Sequence, residues 1–387
     1  MRVLVITRYF WPEDGVAEEP LMLKHYVNWH IDKGHNVEVV TGAQEDHINQ
    51  WNKEFNGKLL VNHFLTRIDR ETSFLKRIIN SFMLLLLSCK AIVFKKKYDL
   101  VYVFSGPPLI SLFISILNKM LLKKSRIIFI IQDNVVYRIS NNFFKKLFKA
   151  YIKFTIILSD VVLVLSQPMK DEVLNYFKKK KAYRISKKIK ILLNFCADLE
   201  EGSFKTDAKK SVDIIYAGNH GPSQGLTNFI DIISHIDQNH RPNISFYGEG
   251  TDKKNIIKYA QKRNVKIEFN DPIPRRDIKK IISKSKLGLV CMSKSLSRYA
   301  FPSKLATYLS VGTKVIICSY GFDHLNSFIK DNDFGYLLDS SDIESAASNL
   351  KHFLENVQEI DSAFYKKVES IFGKNQYFDK LGGILDI

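Results

Sequence analysis

The sequence predicts an α/β protein built from two doubly wound domains in series. Three observations carry that expectation. Short apolar runs rich in β-branched residues alternate with longer segments of helical pattern. A polar stretch at residues 198–211 (DLEEGSFKTDAKKS) interrupts the alternation, which then restarts. The length, 387 residues, suits two or three domains at roughly 100–200 residues each.

In the first half the strand candidates are residues 3–7, 37–41, 100–104, 127–131, 161–165 and 189–193. Their apolar runs are nearly continuous rather than alternating, as in strands of a parallel sheet covered on both faces. Helical patterns separate most of them, which makes this half a doubly wound domain. In the second half the candidates are 212–217, 244–247, 266–269, 287–291 and 314–318, with a late strand after KDNDFGY. The expected organisation is an N-terminal domain over 1–197, a linker over 198–211 and a second domain over 212–360. Helices over 361–387 would then be placed to cross back to the first domain.

Composition agrees with a packed protein: 45% of residues are hydrophobic and 12% aromatic. The net charge of +18 is distributed unevenly. Residues 1–200 hold 32 basic and 18 acidic side chains, whereas the remainder holds 26 and 22. A cationic surface gathers anionic partners, among them nucleic acid, anionic lipid and phosphorylated substrates. No zinc-finger spacing, RNP-like string or helix-turn-helix is legible, so no nucleic-acid partner is expected. Instead the basic residues flank apolar helices. FLKRIINSFMLLLLSCKAIVF at 74–94 leads into Lys95, Lys96 and Lys97, and PPLISLFISILNKMLL at 107–122 leads into Lys123, Lys124 and Arg126. A third stretch, 143–158, carries Lys145, Lys146, Lys149 and Lys153.

Lys76, Arg77 and Lys90 break the first stretch, and Asn118 and Lys119 the second, so neither offers the ~20 apolar residues of a membrane span. Two readings stay open for them. They are crossover helices that only cover the sheet, or crossover helices whose outer faces also rest on an anionic membrane. The opening MRVLVITRYFWPEDG reads as a first strand, not a signal peptide. Cys89, Cys196, Cys291 and Cys318 lie far apart, without metal-ligand spacing, which suits small buried side chains in a cytoplasmic protein.

In doubly wound sheets, ligands bind beyond the carboxyl ends of the strands, so the loops after strands are the place to look. Four stand out. In VDIIYAGNHGPSQG (212–225) a strand is followed by Gly218, Asn219, His220 and Gly221, with Gln224 and Gly225 opening a helix. Glycines there let backbone N–H groups approach a phosphate at a helix N-terminus, though a plain turn also uses glycine. FYGEGT (246–251) places Gly248 and Gly250 around Glu249; it lacks the third glycine of a dinucleotide fingerprint. In SRYAFPSKLATYLSVG (297–312), Arg298 and Lys304 bracket Pro302 and Ser303, which suit the start of a helix. In the first domain FWPEDG follows strand one, and Gly15 permits close backbone approach to a ligand.

YFWPEDG after strand one, KGHNVEVVTG at strand two, YAGNHGPSQGL, FYGEGT and FPSKLATYLSVGTKVI together resemble the family-4 glycosyltransferases of the GT-B type. The resemblance spans nearly the whole chain and is most specific at FPSKLATYLSVGTKVI and YAGNHGPSQGL. It is similar to bacterial transferases that build lipid-linked O-antigen and capsule polysaccharide, such as N-acetylfucosamine transferases. The resemblance implies two Rossmann-like domains facing across a cleft and a retaining transfer from a UDP- or GDP-linked sugar, with no metal and no cofactor. It assigns the acceptor to the first domain and the nucleotide diphosphate to the second. Asn219, Gly221 and Gln224 then line the diphosphate and sugar side, Gly248–Gly250 the nucleoside side, and Ser303 and Lys304 the nucleotide-contacting helix. Asp133, in IIQDN, matches an acidic position facing the cleft, and Asn194 a turn of the Pro-Asn-Gly-Val-Asp type.

The departures are specific. Many members carry two glutamates separated by seven residues, the second holding the ribose; Tyr299 and Thr307 stand there instead. Gln224 replaces a phosphate-binding lysine, and Val16 a second glycine after Gly15. The cations Lys304, Arg298, Arg275 and Arg276 remain.

Cleaving a sugar–phosphate bond builds negative charge on the diphosphate, so cations and backbone N–H groups there stabilise the transition state. Lys304 is the first candidate for that role and Arg298 the second, with Asp133 placed to orient or deprotonate the acceptor hydroxyl. Glu249 serves equally as a turn residue, and His35 in KGHNV as a structural turn. Asp331 and Asp333 form the sole Asp-x-Asp and read as loop residues rather than metal ligands. The expected protein is a peripheral enzyme of the cytoplasmic membrane face acting on a lipid-linked glycan. Its rivals are a nucleotide-sugar 2-epimerase of the same fold and a non-catalytic basic protein that binds nucleic acid or membrane. The epimerase would bring several carboxylates and histidines to the site, and none can be placed.

Overall fold

A computed structural model describes the chain apart from residues 11–17, 44, 56–57, 66–73, 95–96, 108, 122–124, 133–135, 137–138, 140, 198, 200–209, 295–300, 322 and 358–359. The linker expected at 198–211 falls largely outside the described residues. The chain divides into two compact units: residues 1–193 with 380–387, and residues 194–379.

The first unit holds one parallel sheet of β1 (Arg2–Tyr9), β2 (Asn36–Ala43), β3 (Leu59–Leu65), β4 (Leu100–Phe104), β5 (Arg126–Ile131), β6 (Val161–Val164) and β7 (Ile189–Ile191). Its order is β3-β2-β1-β4-β5-β6-β7, with Val3 opposite both Val37 and Leu100. β4 and β6 are buried along their full length, which explains their unbroken apolar sequences. β3 was not expected from the sequence. Asn62 and His63 break its apolar run, and it pairs on one side only, with Leu60 left 54% exposed. An edge strand needs less apolar character than a central one.

Helices α1 (Glu18–Asp32) and α2 (Glu45–Glu54) connect the first three strands. Three long crossovers follow: α3 (Phe74–Phe94), α4 (Ile110–Met120) and α5 (Asn142–Leu158). They lie side by side, α4 touching both neighbours. Asn141 caps α5, its side chain accepting from the N–H groups of Phe143 and Phe144. Helices α6 (Gln167–Leu174) and α7 (Lys179–Ser186) lead into β7. Among the described residues no helix is long and apolar enough to cross a membrane.

The second unit repeats the plan with β8 (Val212–Ala217), β9 (Ile244–Tyr247), β10 (Glu268–Asn270), β11 (Ser285–Cys291), β12 (Lys314–Ser319) and β13 (Gly335–Asp339), in the order β10-β9-β8-β11-β12-β13. Its helices are α8 (Leu226–Ser234), α9 (Lys253–Lys262), α10 (Arg275–Ile282), α11 (Ser303–Ser310), α12 (Asp323–Asn332) and α13 (Ile343–Glu355). Ile214, Phe229, Phe246, Leu289 and Ile316 are fully buried in its core. Asp333 closes the turn before β13 in the left-handed region and pairs with Lys314 at 2.7 Å, so this carboxylate of the Asp-x-Asp segment is held by a strand lysine.

The chain ends with α14 (Ser362–Phe372) and α15 (Lys374–Leu385). Phe364, Val368 and Phe372 are buried, which fixes α14 within the second unit. The last residues, 380–387, pack into the first, where Leu381 and Leu385 are buried and the Arg126 guanidinium donates to the Leu385 carbonyl at 2.5 Å.

Candidate functional site

The carboxyl edge of the second sheet gathers two of the four loops singled out from sequence and the described part, residues 301–312, of a third. β8 ends at Ala217, and residues 218–221 run into a short 3-10 turn (Pro222–Gln224) before Gly225 and α8. The neighbouring loop 248–250 is tied to it by backbone bonds: Gly218 N–H donates to Tyr247 O, His220 N–H to Glu249 O, and Asp252 N–H to His220 O, at 2.8–2.9 Å. Gly218 has φ +149° and Gly248 +135°, a backbone region that disfavours other residues. A Cβ on Gly218 would also lie 2.5 Å from Lys304 Cε. These two glycines therefore bring the loops against each other and against the lysine.

Lys304 sits in the first turn of α11. Its ammonium donates to the Tyr216 hydroxyl at 2.6 Å and to Gln224 Oε1 at 2.9 Å, and lies 4.0 Å from the centre of the Tyr216 ring. The Tyr216 hydroxyl in turn donates to Asn219 O at 2.6 Å. Among the described residues no carboxylate pairs with this ammonium. Burial consequently pulls its pKa down to about 7. A half-buried cation without a carboxylate partner among the described residues, at the start of a helix and beside two glycine loops, is a site for an anion.

Tyr308, one turn further along α11, places this helix. Its hydroxyl accepts from Ala217 N–H at 2.9 Å, and its ring covers Gly288 of β11 closely enough to exclude a larger residue there. His220 is fully buried among the rings of Tyr216, Phe246 and Phe269, and neither ring nitrogen has a partner among the described residues. Burial, then the charges of Lys253 and Lys304, lower its pKa to about 4. It is a neutral packing element joining the two loops.

The structure thus brings Asn219, Gly221, Gln224, Gly248, Gly250 and Lys304 to one edge. Thr307 is half-buried three residues after Lys304, and Ser303 is exposed at the helix start. Glu249 is exposed and pairs with Lys253 at 2.6 Å, which holds its carboxyl below the ordinary range. Gly15, Asp133 and Arg298 lie outside the described residues, and so does Tyr299. Sequence reasoning missed Tyr216, Tyr308 and His220: within or after an apolar strand, and along a helix, they look like ordinary core residues. In the first unit His35, half-buried, bonds His30 Nδ1 at 2.9 Å, and the buried His30 bonds the Tyr102 hydroxyl at the same distance, a structural pair.

Residues 199–370 match the family model for glycosyl transferases group 1. A curated relative from Campylobacter jejuni, named GalNAc-alpha-(1->4)-GalNAc-alpha-(1->3)-diNAcBac-PP-undecaprenol alpha-1,4-N-acetyl-D-galactosaminyltransferase, is 24% identical over 178 residues. That match takes in 45% of this chain and 47% of the relative, so it spans about half the length of each. Solved structures align over the whole chain. The lipopolysaccharide outer core galactosyltransferase WaaB has a TM-score of 0.67 at 14% identity, and TarM 0.72 at 12%; in each case 100% of this chain covers 99% of the other. Anabaena HepE, solved with UDP-glucose, has 0.68 at 12%, with the same coverage. Two parallel Rossmann-like sheets and these likenesses make the fold GT-B, as the sequence predicted.

Proposed function

We propose, from the glycosyl transferases group 1 domain that residues 199–370 carry, that the protein transfers a sugar from a nucleotide diphosphate sugar to a lipid-linked glycan. The structural observation behind this reading is Lys304: a half-buried side chain whose ammonium, its pKa lowered to about 7, makes two hydrogen bonds and pairs with no carboxylate among the described residues, beside two glycine loops. A diphosphate supplies the missing counterion and draws the proton back onto the amine. As the sugar–phosphate bond breaks, charge grows on the diphosphate oxygens, where Lys304 and the first N–H groups of α11 stabilise it. Tyr216 and Gln224 fix the ammonium before the reaction, so little reorganisation is needed as charge develops. Retention at the sugar, independence of a metal, and a place in O-antigen or capsule assembly belong to the same reading.

The acceptor reading gains support from the first unit. Phe82, Phe113 and Phe143, on the adjacent helices α3, α4 and α5, are 58%, 46% and 70% exposed. Lys90, Lys119 and Lys146 are exposed on the same three helices. An apolar face edged with lysines suits an anionic bilayer, where a lipid-linked acceptor resides and where the enzyme would sit peripherally.

The test is incubation of the full-length protein with UDP- and GDP-linked sugars and membrane lipid extract, with and without EDTA. Transfer to lipid in both conditions, with retained anomeric configuration by NMR, is expected. Absence of transfer and donor hydrolysis with every donor, together with no stabilisation by UDP or GDP, would refute the reading.

A further inference from the structure

The opposite edge of the first sheet carries a second cationic feature. A groove of about 640 Å³ opens where β5, β6 and β7 begin, bounded by α7 and by the last turn of α15. Its lining includes six basic residues, Arg126, Arg184, Lys187, Lys188, Lys190 and Lys380, against two acidic ones, Asp160 and Asp386. Both acids are already engaged. Asp160 accepts from the Ile127 N–H at 2.8 Å, and Asp386 lies 3.7 Å from Arg126.

The six cations divide into two kinds. Arg126 and Lys188 are built into the fold: Arg126 donates to the carbonyls of Ile384 and Leu385, and Lys188 to those of Ile157 and Ser159 at the carboxyl end of α5. Arg184, Lys187, Lys190 and Lys380 are exposed, and none of them pairs with an acid among the described residues. Four exposed cations around two anchored ones repel each other. Burial, with Lys119 and Lys181 nearby, lowers the Lys188 pKa to about 8 in spite of Asp160. Such a concentration of one sign costs stability and is relieved by a multiply charged anion. A single carboxylate would leave most of this charge unmatched, whereas a phosphoryl group offers two charges and several acceptors to guanidinium and ammonium donors.

We propose that this groove binds the phosphoryl group of a phosphorylated ligand, either an anionic phospholipid headgroup or a soluble phosphate compound. It is a site distinct from the nucleotide site and from the carboxyl edge of its own sheet, where α/β folds bind their substrates. The proposal does not depend on the transferase reading.

The test uses the full chain carrying Lys304→Ala, which removes the phosphate anchor of the second unit. Inorganic pyrophosphate is titrated calorimetrically, and flotation is measured with phosphatidylglycerol/phosphatidylcholine vesicles and with phosphatidylcholine alone. The three changes Arg184→Glu, Lys190→Glu and Lys380→Glu are then added; all three side chains are exposed, so folding should survive and is checked by circular dichroism. A control places the same charge change on α9, as Lys254→Glu, Lys258→Glu and Lys262→Glu. The groove variant should lose pyrophosphate affinity by about 100-fold, with the α9 control unchanged. A parallel loss of flotation on the anionic vesicles identifies a lipid headgroup as the ligand; loss of pyrophosphate binding with flotation unchanged identifies a soluble phosphate compound. Equal losses in the groove variant and the α9 control, or no pyrophosphate binding before the groove is altered, would overturn the proposal.

Discussion

At the scale of the residue, Lys304 was legible in the sequence because proline, serine and lysine in that order announce the start of a helix with a cation beside it. Its setting was not legible. Tyr216 is the fifth residue of an apolar strand, and nothing local distinguishes a core tyrosine from one whose hydroxyl accepts from a lysine 88 positions away. Replacing Lys304 with Ala should reduce kcat/KM for transfer by about 10²–10³-fold, the size of a lost transition-state donor, with thermal stability nearly unchanged. Nucleoside diphosphate binding to the unaltered protein should take up a proton above pH 7 and weaken as pH rises, because the free amine then has to be recharged. Calorimetry in buffers of different ionisation enthalpy reads this directly. His220 titrates in the opposite sense for stability. Its folded pKa, about 4, lies below the ordinary 6.5, so the unfolded chain takes up the proton first as pH falls. The contribution of the neutral ring is complete above about pH 6.5 and is lost toward pH 4. Urea midpoints should fall over that window, and His220→Leu should flatten part of the fall. His30, lowered to about 3, keeps the remainder of the slope.

At the scale of the element, the central strands were legible and the edges less so. β4, β8 and β9 match their expected bounds: β4 is apolar and buried throughout, and β8 and β9 each keep three consecutive buried residues bounded by polar or glycine-rich loops. Edge strands are covered on one side and pair once, which hid β3 and leaves β7 and β10 at three residues each. The helix carrying Lys304 is placed from its far side by Tyr308. Tyr308→Phe removes the acceptor for Ala217 N–H and should cost about 1 kcal/mol in chemical denaturation. It should also weaken donor binding, since the start of α11 is no longer pinned to the end of β8. On α3 and α4, Phe82→Ser with Phe113→Ser should reduce flotation with anionic vesicles several-fold and leave UDP or GDP binding in solution unchanged. Both rings are exposed, so the melting temperature should barely move.

At the scale of the whole molecule, the charge imbalance read from the sequence takes on a finer structure. The excess in residues 1–200 is divided between the lysines beside an apolar helical face and a groove at the start of β5, β6 and β7. The first was visible because lysine and phenylalanine interleave along single helices. The second was not, because Arg126, residues 184–190 and Lys380 meet only in the fold. The contribution of Lys380 to that groove reflects a wider property: residues 380–387 complete the first unit. Leu381 and Leu385 fill its interior, and backbone carbonyls there receive the Arg126 guanidinium. A domain that ordinarily folds as its sequence leaves the ribosome must here wait until the whole second unit has been translated. Until then it carries an unfilled apolar slot, so a nascent chain stalled before residue 380 presents a surface for chaperones that the finished protein conceals.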